Sequence, residues 1–333
     1  MFKHFQHLQH WLLPLLAVVP LATVLGCAAT GSTGTTNSTG TTSSTGTGTG
    51  VSPASSFPLT VDAADGRVTI RRRPTAIISL SPTATEMLYS IGAGKQVKAV
   101  DDDSNYPKGV PTTKLSGLDP NIESIASYKP DLVIVSYETP SLNHALNTLG
   151  IPVLYEPAAT GLSEEYHQFS QLGAVTGHLA AADAEVAEIK GEIKQIVAST
   201  PKPSRPETYY YELDQTYYSE TSTTFIGKLL GLFNLRSIAD SAKGAAAAGG
   251  YPQLNPGFIL HSNPDYIFLA DTVCCHQSAA SVAARPGWSA LSAVKEHRVL
   301  GLNDSIASRW GPRIVILLRD VSSELRRHPV GKP

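Results

Sequence analysis

The sequence has little of several features that mark common functional classes. Over 333 residues its net charge is −2 and no basic stripe is present, which argues against nucleic acid as a partner. After residue 26, no apolar run approaches the ~20 residues of a membrane-spanning helix. The motifs GxSxG, HExxH and GxxxxGK are absent, and no carboxylate pair stands out. These absences count against an enzyme.

Cysteine is also scarce, and the first of only three cysteines follows an N-terminal apolar run. Lys3 precedes WLLPLLAVVPLATVLG (11–26), the pattern of a secretion signal. The run ends in VLGC, which resembles the bacterial lipoprotein signal, whose cysteine is acylated and becomes the new N-terminus. We therefore predict a signal peptide over 1–26 and lipidation of Cys27. The alternatives are an ordinary signal peptide or an uncleaved anchor helix.

Residues 27–56 are mostly Thr, Ser and Gly. Such a segment cannot bury enough apolar surface to offset its ordering entropy, so we predict that it is disordered. As a flexible chain it reaches roughly 30 Å, from about 5–6 Å per square root of residue number. It is predicted to be a tether that holds an extracytoplasmic domain to the outer face of the cell membrane.

The rest of the chain contains an internal repeat. NIESIASYKPDLVIVS (121–136) matches NPGFILHSNPDYIFLA (255–270), with nine residues from Asn to Pro in both copies. In each, a short helical segment ends before Pro-Asp, because proline disfavours the helix. A non-alternating apolar run follows, as expected of a buried parallel strand.

The flanking segments extend this repeat into two halves. Each half reads β-α-β-α-β, which predicts an α/β fold with two similar lobes, each a parallel sheet with covering helices. Thr83 and Glu86 are expected to form a capping box for the helix after the first strand. Alanines and i,i+4 charged pairs over 178–199 predict one long connecting helix. The predicted divisions are a first lobe over 57–177, a linker helix over 178–200 and a second lobe over 201–333.

With these features the chain resembles the substrate-binding lipoproteins of bacterial ABC importers for vitamin B12 and ferric siderophores. The resemblance rests on a hairpin at DG (65–66) and on five further segments: RPTAIISLSPTATEMLYSIGAGKQVKAV, NYPKGVP, NIESIASYKPDLVIV, PGWSALSAVKEHRVLGL and RWGPRIVILL. The first of these is most similar to cobalamin-binding members. The resemblance implies a monomer that captures cobalamin, another corrinoid or a ferric siderophore and delivers it to a permease dimer with its ATPase. It implies no enzymatic activity, no cofactor and no resident metal.

The resemblance also places a ligand cleft between the lobes, where the loops after the strands meet. Those loops are rich in aromatic side chains, which suit a bulky ligand, although any single tyrosine could be an ordinary surface residue. The predicted ligand-binding residues are Tyr106, Tyr137, Tyr217, Tyr218, Tyr251, Arg309 and Trp310. Gly117 and Ser136 stand where well-studied cobalamin binders carry tryptophans, and Tyr251 stands at a third such place.

Family members dock on their permease through one glutamate per lobe. Glu123 matches the first of these, so the resemblance implies that it is a docking residue. The repeat places Gly257 at the second position, where the glutamate is absent. Docking is therefore expected to depend on the first lobe, unless Glu123 is only a solvated helix residue.

Three alternatives remain beside this hypothesis. Two α/β lobes also host transferases and hydrolases. A zinc or manganese binder of the same fold would use several histidines, and His144, His167, His261 and His276 are available, although none forms a ligand-spaced pair. A structural or adhesive lipoprotein could also use this fold without transport.

The last two cysteines, Cys274 and Cys275, are adjacent. The second half of the repeat carries about twelve extra residues, because Pro264 to Val299 spans 35 residues where Pro130 to Val153 spans 23. Adjacent cysteines do not easily grip one zinc ion, and C-x-x-C is absent. We predict a vicinal disulfide that stiffens a loop at the cleft edge, with two free thiols as the alternative.

Overall fold

The computed structural model describes residues 56–137 and 139–330, which begin with an antiparallel hairpin. Strands β1 (Leu59–Ala63) and β2 (Gly66–Ile70) pair with Ala63 opposite Gly66, whose φ is +137°. This turn confirms the hairpin predicted at DG. The predicted signal peptide, Cys27 and nearly all of the tether lie outside the described residues.

Two parallel sheets follow, as the repeat predicts, and each has four strands. The first sheet has the order β4-β3-β5-β6. The second has the order β10-β9-β7-β8, which read from the other edge is β8-β7-β9-β10, so the two orders correspond strand by strand. The first contains β3 (Ile77–Leu80), β4 (Val97–Val100), β5 (Leu132–Val135) and β6 (Val153–Tyr155), and the second contains β7 (Glu207–Glu212), β8 (Leu235–Ser237), β9 (Tyr266–Leu269) and β10 (Val299–Gly301).

Helices cover both sheets. We call the first sheet with α1–α4 the first lobe, and the second sheet with α6–α10 the second lobe. The first lobe has α1 (Pro82–Ser90), α2 (Ile122–Ser127), α3 (Pro140–Thr148) and α4 (Leu162–Thr176), and α5 (Leu179–Ser199) follows it. The second lobe has α6 (Phe225–Gly231), α7 (Pro256–Ser262), α8 (Ala279–Ala283), α9 (Ser292–Lys295) and α10 (Asp304–Ala307). The last helix is α11 (Ile314–Arg327).

The repeated Asn and Asp residues explain why both halves fold alike. Asn121 and Asn255 cap α2 and α7, and each side chain accepts a hydrogen bond of 2.8 Å from a backbone N–H three residues on. Asp131 accepts from the backbone N–H and hydroxyl of Thr75, and Asp265 does the same with Thr208. Each aspartate thus fixes the segment that enters β3 or β7.

The long helix predicted over 178–199 is present as α5, which has 21 residues. It packs against α4 and against α11. The two lobe cores are separate clusters of buried side chains, one around Val133 and Val135 of β5 and one around Trp288 and Ile267. A membrane span would need a helix both long and apolar, and no helix between residues 56 and 330 meets both conditions.

Two expectations about local structure need correction. Each lobe contains one strand more than predicted, namely β4 and β8. The capping box is wrong, because the side chain of Ser81 caps α1 by accepting from the Ala84 N–H at 3.2 Å. Glu86 is 1% exposed, and its carboxylate faces arginines of the C-terminal segment.

Candidate functional site

The carboxyl ends of the strands carry the candidate site. Since all strands of each sheet are parallel, these ends share one edge in each lobe. Asp101 follows β4 and Tyr137 follows β5 in the first lobe, while Asp271 follows β9 and Asp304 follows β10 in the second. The predicted loops therefore lie where the topology expects a ligand.

Tyr137 follows β5 in the first lobe, and Tyr251 lies between β8 and α7 in the second. Tyr137 is 36% exposed, and Tyr251 is half-buried. Burial raises the pKa of Tyr251 to about 12, helped by the charges of Glu220 and Tyr137. Burial, then Asp103 and Asp101, raise the pKa of Tyr137. The influence of Tyr137 on the pKa of Tyr251 indicates that these two predicted residues lie near each other, and both neutral hydroxyls can donate hydrogen bonds.

Tyr217 and Tyr218 lie in the loop after β7. Tyr217 has a φ of +67° and stacks on Trp288 with 6.0 Å between ring centroids. Tyr218 pairs antiparallel with Gln253, and its carbonyl accepts from the Leu213 N–H at 2.9 Å. Both tyrosines are half-buried, and the ring of Tyr217 is partly used by packing within the second lobe.

Tyr106 lies apart from this pair. It is 42% exposed, and its ring lies under the guanidinium of Arg313 at 4.2 Å. It lines a cavity of about 440 Å³ between α1, α5 and α11, together with Glu86, Glu188 and Arg313. Tyr137 and Tyr251 do not line that cavity. Tyr106 therefore faces the side of the molecule where α5 packs.

Arg309 and Trp310 are each only 8% exposed. Arg309 donates to the Glu86 carboxylate at 2.8 Å, and the Trp310 Nε1–H donates to the Gln168 side chain at 2.8 Å. Their polar groups are thus bound by the first lobe. A direct ligand-binding role for these two side chains remains a prediction, and the structure shows them as interlobe contacts.

The sequence did not indicate a buried carboxyl pair at the second-lobe edge. Glu212 ends β7 with no exposure and accepts two hydrogen bonds of 2.6 Å from Arg285. Asp271, also buried, lies beside Glu212, and burial followed by this neighbouring charge raises the pKa of Asp271 to about 8. Nearby, Glu220 accepts from the Tyr209 hydroxyl at 2.8 Å, and burial raises its pKa to about 7. The sequence signal that could have indicated this pair is a carboxylate residue at the end of each predicted strand.

The adjacent cysteines lie in the loop after β9, as predicted from the extra residues. The structure joins Cys274 to Cys275 in a disulfide. Asp304 fixes this loop, because its carboxylate accepts from the backbone N–H of Val273 at 2.9 Å and of Cys274 at 2.7 Å. Gln215 donates to the Cys275 carbonyl at 3.1 Å. The disulfide loop therefore contacts the loops after β7 and β10 at the same edge.

Glu123 and Gly257 occupy matching places in the first turns of α2 and α7, and both are exposed. The candidate metal-binding histidines do not converge. His144 lies on α3, His167 on α4, His261 on α7 and His276 in the disulfide loop, and all four are exposed.

Comparisons with known proteins agree with this architecture. A family model described as periplasmic binding protein matches residues 77–305. An uncharacterized ABC transporter substrate-binding lipoprotein of Bacillus subtilis (strain 168), YvrC, is 33% identical over 270 residues, which cover 78% of this chain and 82% of that relative. A cobalamin-binding protein of Halobacterium salinarum (strain ATCC 29341 / DSM 671 / R1) is 27% identical over 272 residues, which cover 79% of this chain and 72% of that protein.

A solved structure shares the fold. The periplasmic vitamin B12 binding protein BtuF of Vibrio cholerae superimposes with a TM-score of 0.63 at 22% identity, covering 78% of this chain and 99% of that structure. The family model spans more than half of this chain, and the Bacillus relative is 33% identical over 78% of it, so the chain belongs to the periplasmic binding protein family.

Proposed function

We propose that this protein is the extracytoplasmic solute-binding protein of an ABC importer, and that its ligand is cobalamin or another cobalt corrinoid. The observation that carries the proposal is that the loops after the parallel strands hold Tyr137 in the first lobe and Tyr251 in the second, and that Tyr137 contributes to the raised pKa of Tyr251. Aromatic rings supply contact area for a bulky macrocycle, and neutral phenols can bond the amide side groups of a corrin. A ferric siderophore is the second candidate, because a solved structure with this fold, from Staphylococcus epidermidis, is described as a possible iron-binding periplasmic solute-binding protein.

The comparisons support the class of ligand and the class of protein. One relative is named as a cobalamin-binding protein and another as an ABC transporter substrate-binding lipoprotein. The family consists of solute-binding proteins rather than enzymes, so the enzyme alternative is set aside. The zinc or manganese alternative gains nothing from the four exposed histidines on separate elements.

The finer features of the proposal come from the sequence. Lipidation of Cys27 and the Thr/Ser/Gly segment would hold the protein at the outer face of the membrane. A permease dimer with its ATPase would receive the ligand, and exposed Glu123 would contact the permease. The protein would act as a monomer, with no catalytic turnover.

Isothermal titration calorimetry tests the ligand class. We expect stoichiometric binding of cyanocobalamin, and a weaker or absent response to a ferric hydroxamate. Tyr137→Ala and Tyr251→Ala should each weaken binding at least tenfold. Tyr128→Ala is the control, since Tyr128 is 42% exposed, close to the 36% of Tyr137, but lies at the end of α2. Silence with both ligands would refute the proposed ligand class.

A further inference from the structure

A buried group of three charged side chains joins the two lobes. Glu86, on α1 of the first lobe, accepts from Arg309 at 2.8 Å and from two nitrogens of Arg313 at 2.6 and 2.8 Å. The Glu86 side chain has no exposed surface, and those of Arg309 and Arg313 are 9% and 12% exposed. Glu86 lies more than 220 residues from both arginines along the chain. We call these three residues the interlobe clamp.

The same arginines also hold the first-lobe loop after β4. Arg309 donates to the Asp103 carbonyl at 2.8 Å and to the Asn105 side chain at 3.0 Å. Arg313 lies over the ring of Tyr106 at 4.2 Å. Successive residues of one loop are thus bound by arginines that follow α10 of the second lobe.

A buried ion group of this kind is weak evidence for added stability, because burying the charges costs desolvation energy. Removing one partner leaves an uncompensated charge in a low-dielectric site, whereas an exposed pair contributes little. The planar guanidinium also fixes several acceptors in one arrangement, which lysine cannot reproduce. The two arginines bond Glu86, a backbone carbonyl and a side-chain amide at once.

We propose that Glu86, Arg309 and Arg313 are positioning residues that set the separation of the lobes and hold the 101–107 loop in its ligand-binding arrangement. Arg309 then acts on the ligand through Asp103 and Asn105 rather than by contact. This inference rests on the proposed function for its effect on ligand binding. Its effect on the loop itself does not depend on which ligand is bound.

Hydrogen–deuterium exchange of the full-length protein without ligand tests the clamp. In Arg309→Ala, amides of residues 101–107 should exchange at least tenfold faster, while those of β7 in the second-lobe core stay unchanged. Arg319→Ala is the matched control, because Arg319 also bonds a glutamate, Glu192 at 2.7 Å, but its side chain is 52% exposed. That control should change exchange less than twofold. If Arg309→Ala does not fold, Arg309→Lys takes its place, with a smaller increase in the same loop.

Ligand binding supplies the second readout. Arg309→Ala should weaken cyanocobalamin binding at least tenfold, mainly through faster dissociation, and Arg309→Lys should recover part of the loss. Unchanged exchange over 101–107, or a uniform increase across both lobes, would overturn the clamp. If the wild-type protein bound no corrinoid or siderophore, the proposed function would fail while the exchange result still decided the clamp.

Discussion

At the scale of single residues, the unusual groups are buried carboxyls without partners. Glu165 on α4 is fully buried, and neither of its oxygens has a hydrogen-bond partner within the described part of the chain. Burial raises its pKa to about 9. At neutral pH the side chain is therefore protonated in the folded protein, whereas an unfolded chain would ionise it near pH 4.3.

This difference gives a pH dependence with a definite sign. The folded state binds the proton more tightly than the unfolded chain, so the Glu165 contribution to the unfolding free energy is greatest below about pH 4.3. It falls as pH rises toward 9. Glu165→Gln should abolish this loss of unfolding free energy at high pH. The variant should be more stable than the wild type at pH 7.5, by on the order of 1–3 kcal/mol, with little difference at pH 4.

Urea unfolding of both proteins across this pH range measures the effect. Glu164→Gln is the control, because Glu164 is the exposed neighbour on the same turn. The pH dependence of the unfolding free energy that remains in Glu165→Gln should come from other buried carboxyls such as Glu156, whose pKa burial raises to about 8. Parallel pH profiles for Glu165→Gln and the wild type would contradict the prediction.

The residue scale also shows where reasoning from sequence fails. Thr83 and Glu86 have the spacing of a capping box, and that local rule assigned Glu86 to its own helix. The partners of Glu86 lie more than 220 residues away along the chain, and no local pattern points to them. Arg309 was assigned to the cleft by resemblance, but its donors face Glu86, Asn105 and Asp103.

At the scale of elements, the repeat predicted most of the architecture correctly. The Asn and Asp residues of the repeat perform the same capping and strand-anchoring tasks in each lobe, so their spacing carried structural information. Strands β4 and β8 were not predicted, although they are as long as other strands that were. One residue of each, Lys98 and Arg236, is charged and exposed, which interrupts the apolar run that signals a buried strand.

The strand anchors yield a stability prediction. The carboxylate of Asp131 accepts from the backbone N–H groups of Thr75 and Ala76 and from the Thr75 hydroxyl. Asp131→Ala would leave these donors without their acceptor and should lower the unfolding free energy by on the order of 1–3 kcal/mol. Chemical denaturation measures this loss, and Asp119→Ala, at an exposed loop position, should change it by less than about 0.5 kcal/mol. Equal effects would remove the anchoring role.

The disulfide loop yields a prediction about binding. Cys274→Ser should weaken ligand binding more than it lowers the melting temperature, because closing so short a loop restrains little of the unfolded chain. The loop contacts Asp304 and Gln215 at the proposed cleft. Greater mobility of this loop in Cys274→Ser would therefore lower the affinity for the ligand. Calorimetry and thermal melting of the same samples separate the two effects. Mass spectrometry of the unreduced protein should find no alkylatable thiol at these positions.

At the scale of the whole molecule, the proposed anchor determines where the protein acts. If Cys27 is lipidated, Cys27→Ser should release the protein from membranes, with the folded domain intact. Fractionation of cells followed by immunoblotting measures the distribution. Cys274→Ser is a suitable control, because it removes a cysteine from the domain without touching the proposed anchor. Unchanged membrane retention of Cys27→Ser would contradict lipid anchoring.

The two lobes are alike in topology but differ on the surface proposed to meet the permease. Glu123 and Gly257 occupy the same place in the first turns of α2 and α7, and both are exposed, so one lobe offers a carboxylate where the other offers none. An exposed charge at such an interface fixes association with an oppositely charged partner rather than the fold. Docking is therefore predicted to depend on the first lobe.

Glu123→Ala should reduce ligand uptake by cells at least tenfold while leaving the calorimetric affinity and the melting temperature unchanged. Glu296→Ala supplies the comparison, because it removes an exposed carboxylate from the second lobe. It should change uptake less than twofold. An equal loss of uptake from Glu296→Ala, or from replacing another acidic residue of the second lobe, would show that a different carboxylate docks the second lobe in place of the one missing at Gly257. A loss of affinity in Glu123→Ala would instead place Glu123 at the ligand, because a residue that contacts only the permease cannot change binding measured in its absence.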